Sequence, residues 1–210
     1  MEREPLFITL EGGEGCGKST QIKLFYKWFS ENYGHGIVTR EPGGVEISEK
    51  IREILKDPKN TGMDILTEFL LFEASRAQFV KEILEPNITQ GISVISDRFT
   101  DSTSVYQGIV GGISLEIINY LNKLTTNGKN PDLTYILAVD VGEGLRRAGK
   151  RGELDRLDLL GIDFHRKVNQ GYLDIAKENP ERCVVIPEGD IASVQRNMRT
   201  EFFRRYLSGI

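Results

Sequence analysis

The segment EGGEGCGKST, Glu11 to Thr20, contains Gly12-x-x-x-x-Gly17-Lys18-Ser19, residue types at a spacing suited to holding phosphate. Glycines let the main chain approach an anion closely, and successive backbone N–H groups at a helix N-terminus face it. Lys18 is placed to reach terminal phosphates and Ser19 to offer a hydroxyl to magnesium, while Cys16 reads as a small loop filler rather than a nucleophile. Glu14 is the odd member. A carboxylate among groups that hold an anion repels that anion, so it needs a separate task. A second chemical set is formed by arginines: Arg40, Arg76, Arg98, and Arg146, Arg147 and Arg151 in one basic stretch. Each alone reads as a surface ion pair. Gathered at strand ends, planar guanidinium groups suit the clamping of two polyanions that repel each other.

Something must bring these residues together. Apolar runs at Leu6 to Leu10, Ile37 to Thr39, Ile92 to Ser96, Tyr135 to Val139 and Cys183 to Ile186 alternate with segments long enough for crossover helices. Continuous rather than alternating apolar strands predict burial on both faces, hence an α/β chain with a parallel sheet and helices on each side. Ligands then gather at the carboxyl ends of the strands. The polar residues there are Glu11 to Thr20, Arg40 to Gly44, Asp97 to Ser104, Asp140 onward, and Glu188 to Asp190.

Composition narrows the partners. With 210 residues and no polar or Pro/Gly-rich divider, one domain is expected, and 27 Lys plus Arg against 31 Asp plus Glu give no broad surface for nucleic acid. No run approaches the roughly 20 apolar residues of a membrane span, and the charged start MEREPLFITL lacks a signal-peptide pattern, so a cytoplasmic protein is expected. The two cysteines, Cys16 and Cys183, suggest neither a disulfide scaffold nor a zinc site. A guanine-specific switch is poorly matched. Asn122-Lys123-Leu124-Thr125 lacks the required Asp and precedes its strand, and Asp158-x-x-Gly161 sits in a charged helical pattern.

The blocks FITLEGGEGCGKST, TREPGG, LLFEASRAQ, SDRFTDSTSVYQG and RRAGKRGELDR follow one another in order. Their combination resembles the thymidylate kinase family. The resemblance implies a three-layer P-loop NTPase fold with a five-stranded parallel sheet, a single kinase domain over 1–210 and a short helical lid at about 142–156. It also implies a homodimer and a magnesium-dependent transfer of the gamma-phosphate of ATP to dTMP, giving dTDP and ADP. Runner-up readings are a kinase for another nucleoside monophosphate and a nucleotide-dependent switch.

Residue by residue, the resemblance implies that Gly12, Gly13, Glu14, Gly15, Cys16, Gly17, Lys18, Ser19 and Thr20 hold the ATP phosphates, with Arg146 over adenine. Phe72 would stack on thymine, Arg76 would reach a base edge and Thr103 would hydrogen-bond the base. Gln107 would face the nucleotide, and the Tyr106 ring would crowd a ribose 2'-hydroxyl. Arg40 and Arg98 would hold the acceptor phosphate, Glu14 would contact the acceptor sugar or water around magnesium, and Ser19 and Asp97 would serve the metal. Lys18, Arg98, Glu14, Arg147 and Arg151 form the catalytic set. Relatives whose loop lacks arginine often read R-x-R-x-R in the lid, whereas Gly149 occupies the middle place here. The transition-state arginine is therefore Arg147 or Arg151, left unranked. A phosphate nucleophile is already largely dianionic near neutrality, with a second pKa of about 6, so no general base is needed. The two histidines, His35 and His165, are accordingly expected on the surface.

Overall fold

Strands β1 (Phe7–Glu11), β2 (Gly36–Arg40), β3 (Ser93–Asp97), β4 (Leu133–Leu137) and β5 (Cys183–Ile186) form one five-stranded sheet in the order β2-β3-β1-β4-β5, every neighbouring pair parallel. These are features of a computed structural model that describes residues 3–150, 156–157 and 159–208. Helices α1 (Lys18–Asn32), α2 (Glu46–Lys56), α3 (Ile65–Phe79), α4 (Glu85–Thr89), α5 (Thr100–Thr103), α6 (Leu115–Thr125), α7 (Val141–Gly149), α8 (Ile162–Glu178) and α9 (Ile191–Tyr206) surround it. Two π-helical stretches, Val80–Leu84 and Ser104–Val110, extend α3 and α5.

The sheet is buried most deeply at its centre. β1 and β4 are buried along their whole length, but edge strands β2 and β5 expose Val38 and Val185. Burial on both faces thus holds for the inner strands alone, since an edge strand has a neighbour on one side only. β4 begins two residues before the expected Tyr135 because Thr134, polar by type, is buried and hydrogen-bonded to Thr9 across the strands at 2.8 Å.

Two apolar layers fix the helices to the sheet. On one face Ile8, Leu10, Tyr135 and Leu137 pack with α1 and α9; on the other, Ile136 and Cys183 pack with Val168, Tyr172 and Ile175 of α8. α3 is started by Asp64, whose carboxylate accepts from the Leu66 and Thr67 amides, and α7 by Asp140, which accepts from Glu143. α1 has Gly17 at its N-cap with φ 97° and no side-chain cap, so its first turn turns bare N–H groups toward the preceding loop. His165 corrects the expectation of a surface site. It lies one turn before Val168 on the inward face of α8 and is buried, its ring edge-on to Phe164 at 5.3 Å; His35 is exposed as expected.

Phe202 of α9 stands among Phe25, Trp28, Phe29, Tyr33 and Tyr206, with ring centroids 4.9–5.7 Å away. Phe202→Ala removes a fully buried ring, and urea unfolding should show a loss of about 3–5 kcal/mol with the slope unchanged. A loss below about 1 kcal/mol would mean that α9 is not part of the cooperative core.

Candidate active site

The carboxyl ends of β1, β2 and β3 open on a cavity of about 420 Å³. Its walls include the loop from Glu14 to Thr20, Arg40 and Glu41 after β2, Asp97 and Arg98 after β3, and Phe72, Thr103, Tyr106 and Gln107. Arg147 of α7 also reaches it.

The phosphate-type loop is held by backbone geometry. Gly12, Gly15 and Gly17 have φ of 140°, 67° and 97°, which only glycine adopts readily. Gly15 faces Gly144 of α7 so closely that a Cβ on Gly15 would lie 1.9 Å from the Gly144 carbonyl oxygen. The start of α7 is therefore docked on the loop itself. The Lys18 ammonium donates to the carbonyls of Gly12 at 2.8 Å and Gly13 at 3.2 Å, and is buried.

Arg98 is the junction of the site. It has φ 76°, a strained setting for a side chain of this size, and its Nη2 donates to Glu14 Oε1 at 2.9 Å. Its Nη1 donates to the Tyr172 hydroxyl at 2.9 Å and the Ser102 hydroxyl at 3.2 Å, and its guanidinium carbon lies 5.3 Å from the Tyr106 ring centroid. Behind it sits Glu11, fully buried. Glu11 accepts from the Phe99 amide at 2.7 Å, from Ser102 at 2.6 Å and from Tyr172 at 3.0 Å. Both hydroxyls donate to Glu11 and so offer their lone pairs to Arg98. The Arg98 guanidinium beside Glu14 offsets the charge of this carboxylate in the loop.

The second wall is also braced from behind. Glu49 accepts from Arg40 Nη2 at 2.9 Å and from the Gly44 amide at 2.8 Å, which fixes the TREPGG turn. Phe72 lines the cavity, but Arg76 lies behind the wall, nearly inaccessible. Its Nε donates to Glu41 at 2.9 Å, Nη1 to Glu73 and to Asn122 at 2.9 Å, and Nη2 to the Phe99 carbonyl at 3.2 Å and Thr103 Oγ1 at 2.9 Å. All five guanidinium donors are thus engaged within the protein. The acceptors that an arginine among apolar residues needs include the carboxylates of Glu41 and Glu73.

Other expected residues divide as follows. Gly12 and Gly13 shape the loop without lining the large cavity. Arg146 points elsewhere and pairs with Glu143 at 2.6 Å, while Arg147 pairs with Glu143 at 2.7 Å and Glu188 at 3.3 Å. Hydrogen bonds from Arg146 and Arg147 bring the Glu143 carboxyl down to about 2. Of the segment expected as a lid, about 142–156, α7 covers the first part, and Arg151 lies outside the described residues. Tyr106 is buried with its hydroxyl enclosed.

A model of the thymidylate kinase family matches residues 10–198. The chain belongs to the thymidylate kinase family. Thymidylate kinases of Desulfosudis oleivorans and Geotalea uraniireducens are 43% and 46% identical to it, covering 86% of this chain and 88% and 87% of theirs. A crystal structure of thymidylate kinase from Ehrlichia chaffeensis superposes with a TM-score of 0.80 at 36% identity, covering 95% of this chain and 100% of that one. The P-loop NTPase fold of this family is the fold described above. Sequence patterns place Glu11 and Ser102 only within strand-end stretches and do not mark Arg52 or Tyr172, although Arg52 and Ser102 line the cavity. Glu11 left one signal, an acid ending an apolar strand; Arg52 and Tyr172, in helices with polar faces, left none.

Two buried carboxyls give the site a pH signature. Burial pushes Glu11 up to about 7, Asp101 adding to the effect, and pushes Glu41 to about 7 against the pull of Arg76. Raised values mean that the folded protein holds more protons than the unfolded chain between about 4.5 and 7, so these groups' contribution to stability declines as pH rises through that window. Glu41→Gln should flatten the decline by up to about 1.4 kcal/mol per pH unit, read by urea unfolding at stepped pH. A variant curve parallel to the native one would remove Glu41 from this account.

Proposed function

We infer that this chain transfers the gamma-phosphate of ATP to dTMP, giving dTDP and ADP. The observation that carries the reading is the single cavity that joins a phosphate-type loop to an aromatic-walled slot at Phe72, with Arg98 touching the Glu14 side and the Tyr106 side at once. Family membership supplies the two nucleotides.

In this reading the loop amides, Lys18 and Thr20 hold the donor phosphates, Arg40 and Arg98 hold the acceptor phosphate, and Phe72, Thr103 and Gln107 receive the thymine. Bringing two polyanions within reacting distance is the main barrier, and fixed cations in a water-poor cavity lower it. The acceptor phosphate is its own nucleophile, so proton abstraction is not required. Tyr106, fixed under Arg98, excludes a ribose hydroxyl by bulk. Arg147, reached from Glu143 and Glu188, is the described lid arginine placed to move onto the transferring group. Arg151 is its alternative.

Among the described residues no cluster of three or more His, Cys, Asp or Glu is arranged for a metal. Ser19 and Asp97 nevertheless line the cavity with hard oxygen donors, which suits an ion that keeps its waters and substrate phosphates as its other partners. Ser19 and Asp97 would hold Mg²⁺ there. Bound with ATP, it would neutralise charge on the donor oxygens.

The working form is a cytoplasmic homodimer. No helix among the described residues is long and apolar enough to cross a membrane, and the buried cysteines Cys16 and Cys183 are unpaired, as suits a reducing compartment. α3 and α6 pack together and expose Leu66, Leu70, Ile117, Tyr120 and Leu124, a concentration of apolar side chains suited to a second copy.

ADP release coupled to a reporter should depend on dTMP and stay near background with ATP alone. Lys18→Ala should lower kcat/KM by at least about 10³ with the melting curve retained. Activity within about tenfold of native would take Lys18 out of the phosphate site. In sedimentation, the native chain should run at twice its chain mass and Tyr120→Glu at the single mass. A native monomer at micromolar concentration contradicts the assembly.

A further inference from the structure

Glu68 lies in the first turn of α3 with its side chain buried, outside the lining of the cavity. Its two oxygens have different partners. Oε1 accepts from Gln107 Nε2 at 2.6 Å, and Oε2 accepts from Arg156 Nη2. Beside a guanidinium that stays charged, the carboxylate has only lone pairs to offer. An amide, by contrast, has a donor end and an acceptor end of nearly equal shape. Next to Glu68 only one orientation is favourable, the NH2 toward the carboxylate, because the other sets two acceptors against each other. The Gln107 carbonyl is therefore turned away from Glu68, and Gln107 lines the cavity. Thr103 is polarised in the complementary sense. Its Oγ1 accepts from Arg76 at 2.9 Å, so the hydroxyl proton is directed to another acceptor.

We propose that Glu68 is the positioning residue that sets base specificity: it fixes the Gln107 amide with its carbonyl available to the slot, so that a base edge carrying N3–H is accepted and one carrying a lone pair at N3 is rejected. This rests on the nucleoside monophosphate kinase reading above. Thymine and uracil share the accepted edge; cytosine carries the reversed one. Arg156 pairs with the carboxylate and donates through Nε to the Leu55 carbonyl of α2 at 3.3 Å. Shape alone does not discriminate these three bases at N3, so the discrimination has to come from hydrogen-bond polarity.

The test is kcat/KM for dTMP, dUMP and dCMP, read as ADP release, in the native enzyme, Glu68→Gln and Glu68→Asp. Glutamine at 68 must give its carbonyl oxygen to the Arg156 guanidinium, so its NH2 faces Gln107 and reverses that amide. The dTMP/dCMP ratio should fall by at least about tenfold, chiefly through KM, while the dTMP/dUMP ratio is unchanged. Aspartate keeps an acceptor-only partner and should hold the dTMP/dCMP ratio within about threefold of native. Equal loss on all three acceptors in Glu68→Gln, or an unchanged dTMP/dCMP ratio, overturns the proposal. If Glu68→Gln does not fold, Glu68→Asp decides alone, a collapsed ratio counting against it. A native enzyme that phosphorylates none of the three overturns the functional reading and this inference with it, whereas native dTMP preference with a uniform loss in the variant overturns this inference only.

Discussion

The proposed phosphate site depends on Arg98, which is held rigidly with its charge partly offset by Glu14. Its backbone sits at φ 76°, and its guanidinium is fixed by two neutral hydroxyls, one carboxylate and an aromatic face. The hydroxyls owe their polarity to Glu11. Because a buried carboxylate is costly to hold ionised, Glu11 is stable there only with its donors from Phe99, Ser102 and Tyr172 in place. Those donors come from the turn after β3, from α5 and from α8, so the arginine's position depends on three parts of the fold meeting at the end of β1.

The phosphate-type loop is also packed directly against α7. Gly15 and Gly144 bring two main chains into direct contact, leaving no side chain between the phosphate-type loop and α7. Arg147 stands three residues beyond Gly144 on the same helix. Glu143 and Glu188 hold that arginine at the rim by exposed ion pairs, which are individually weak.

Much of this was legible in the sequence because its signals are local. Gly12 to Ser19 and the apolar runs depend on backbone conformation and burial, which neighbouring residues report directly. The residues that brace the site depend on tertiary partners. Glu68 and Glu11 look like ordinary acids, Tyr172 looks like one more ring on an amphipathic helix, and Thr134 looks too polar for a central strand. Arg76 was legible as an arginine that needed acceptors, but nothing local indicated that Glu41, Glu73, Asn122 and Thr103 would supply them. His165 was misplaced for the same reason: charged neighbours on α8 hide that its own position faces inward.

The central claim is that Arg98 bridges a donor loop and an acceptor slot within one cavity. A crystal structure of the chain with ADP and dTMP bound together tests it most directly. The account predicts the dTMP phosphate within hydrogen-bonding distance of the Arg98 guanidinium and the thymine ring against Phe72. A dTMP bound elsewhere, with Arg98 still turned to Glu14 and Tyr172 and no phosphate in reach, would contradict it.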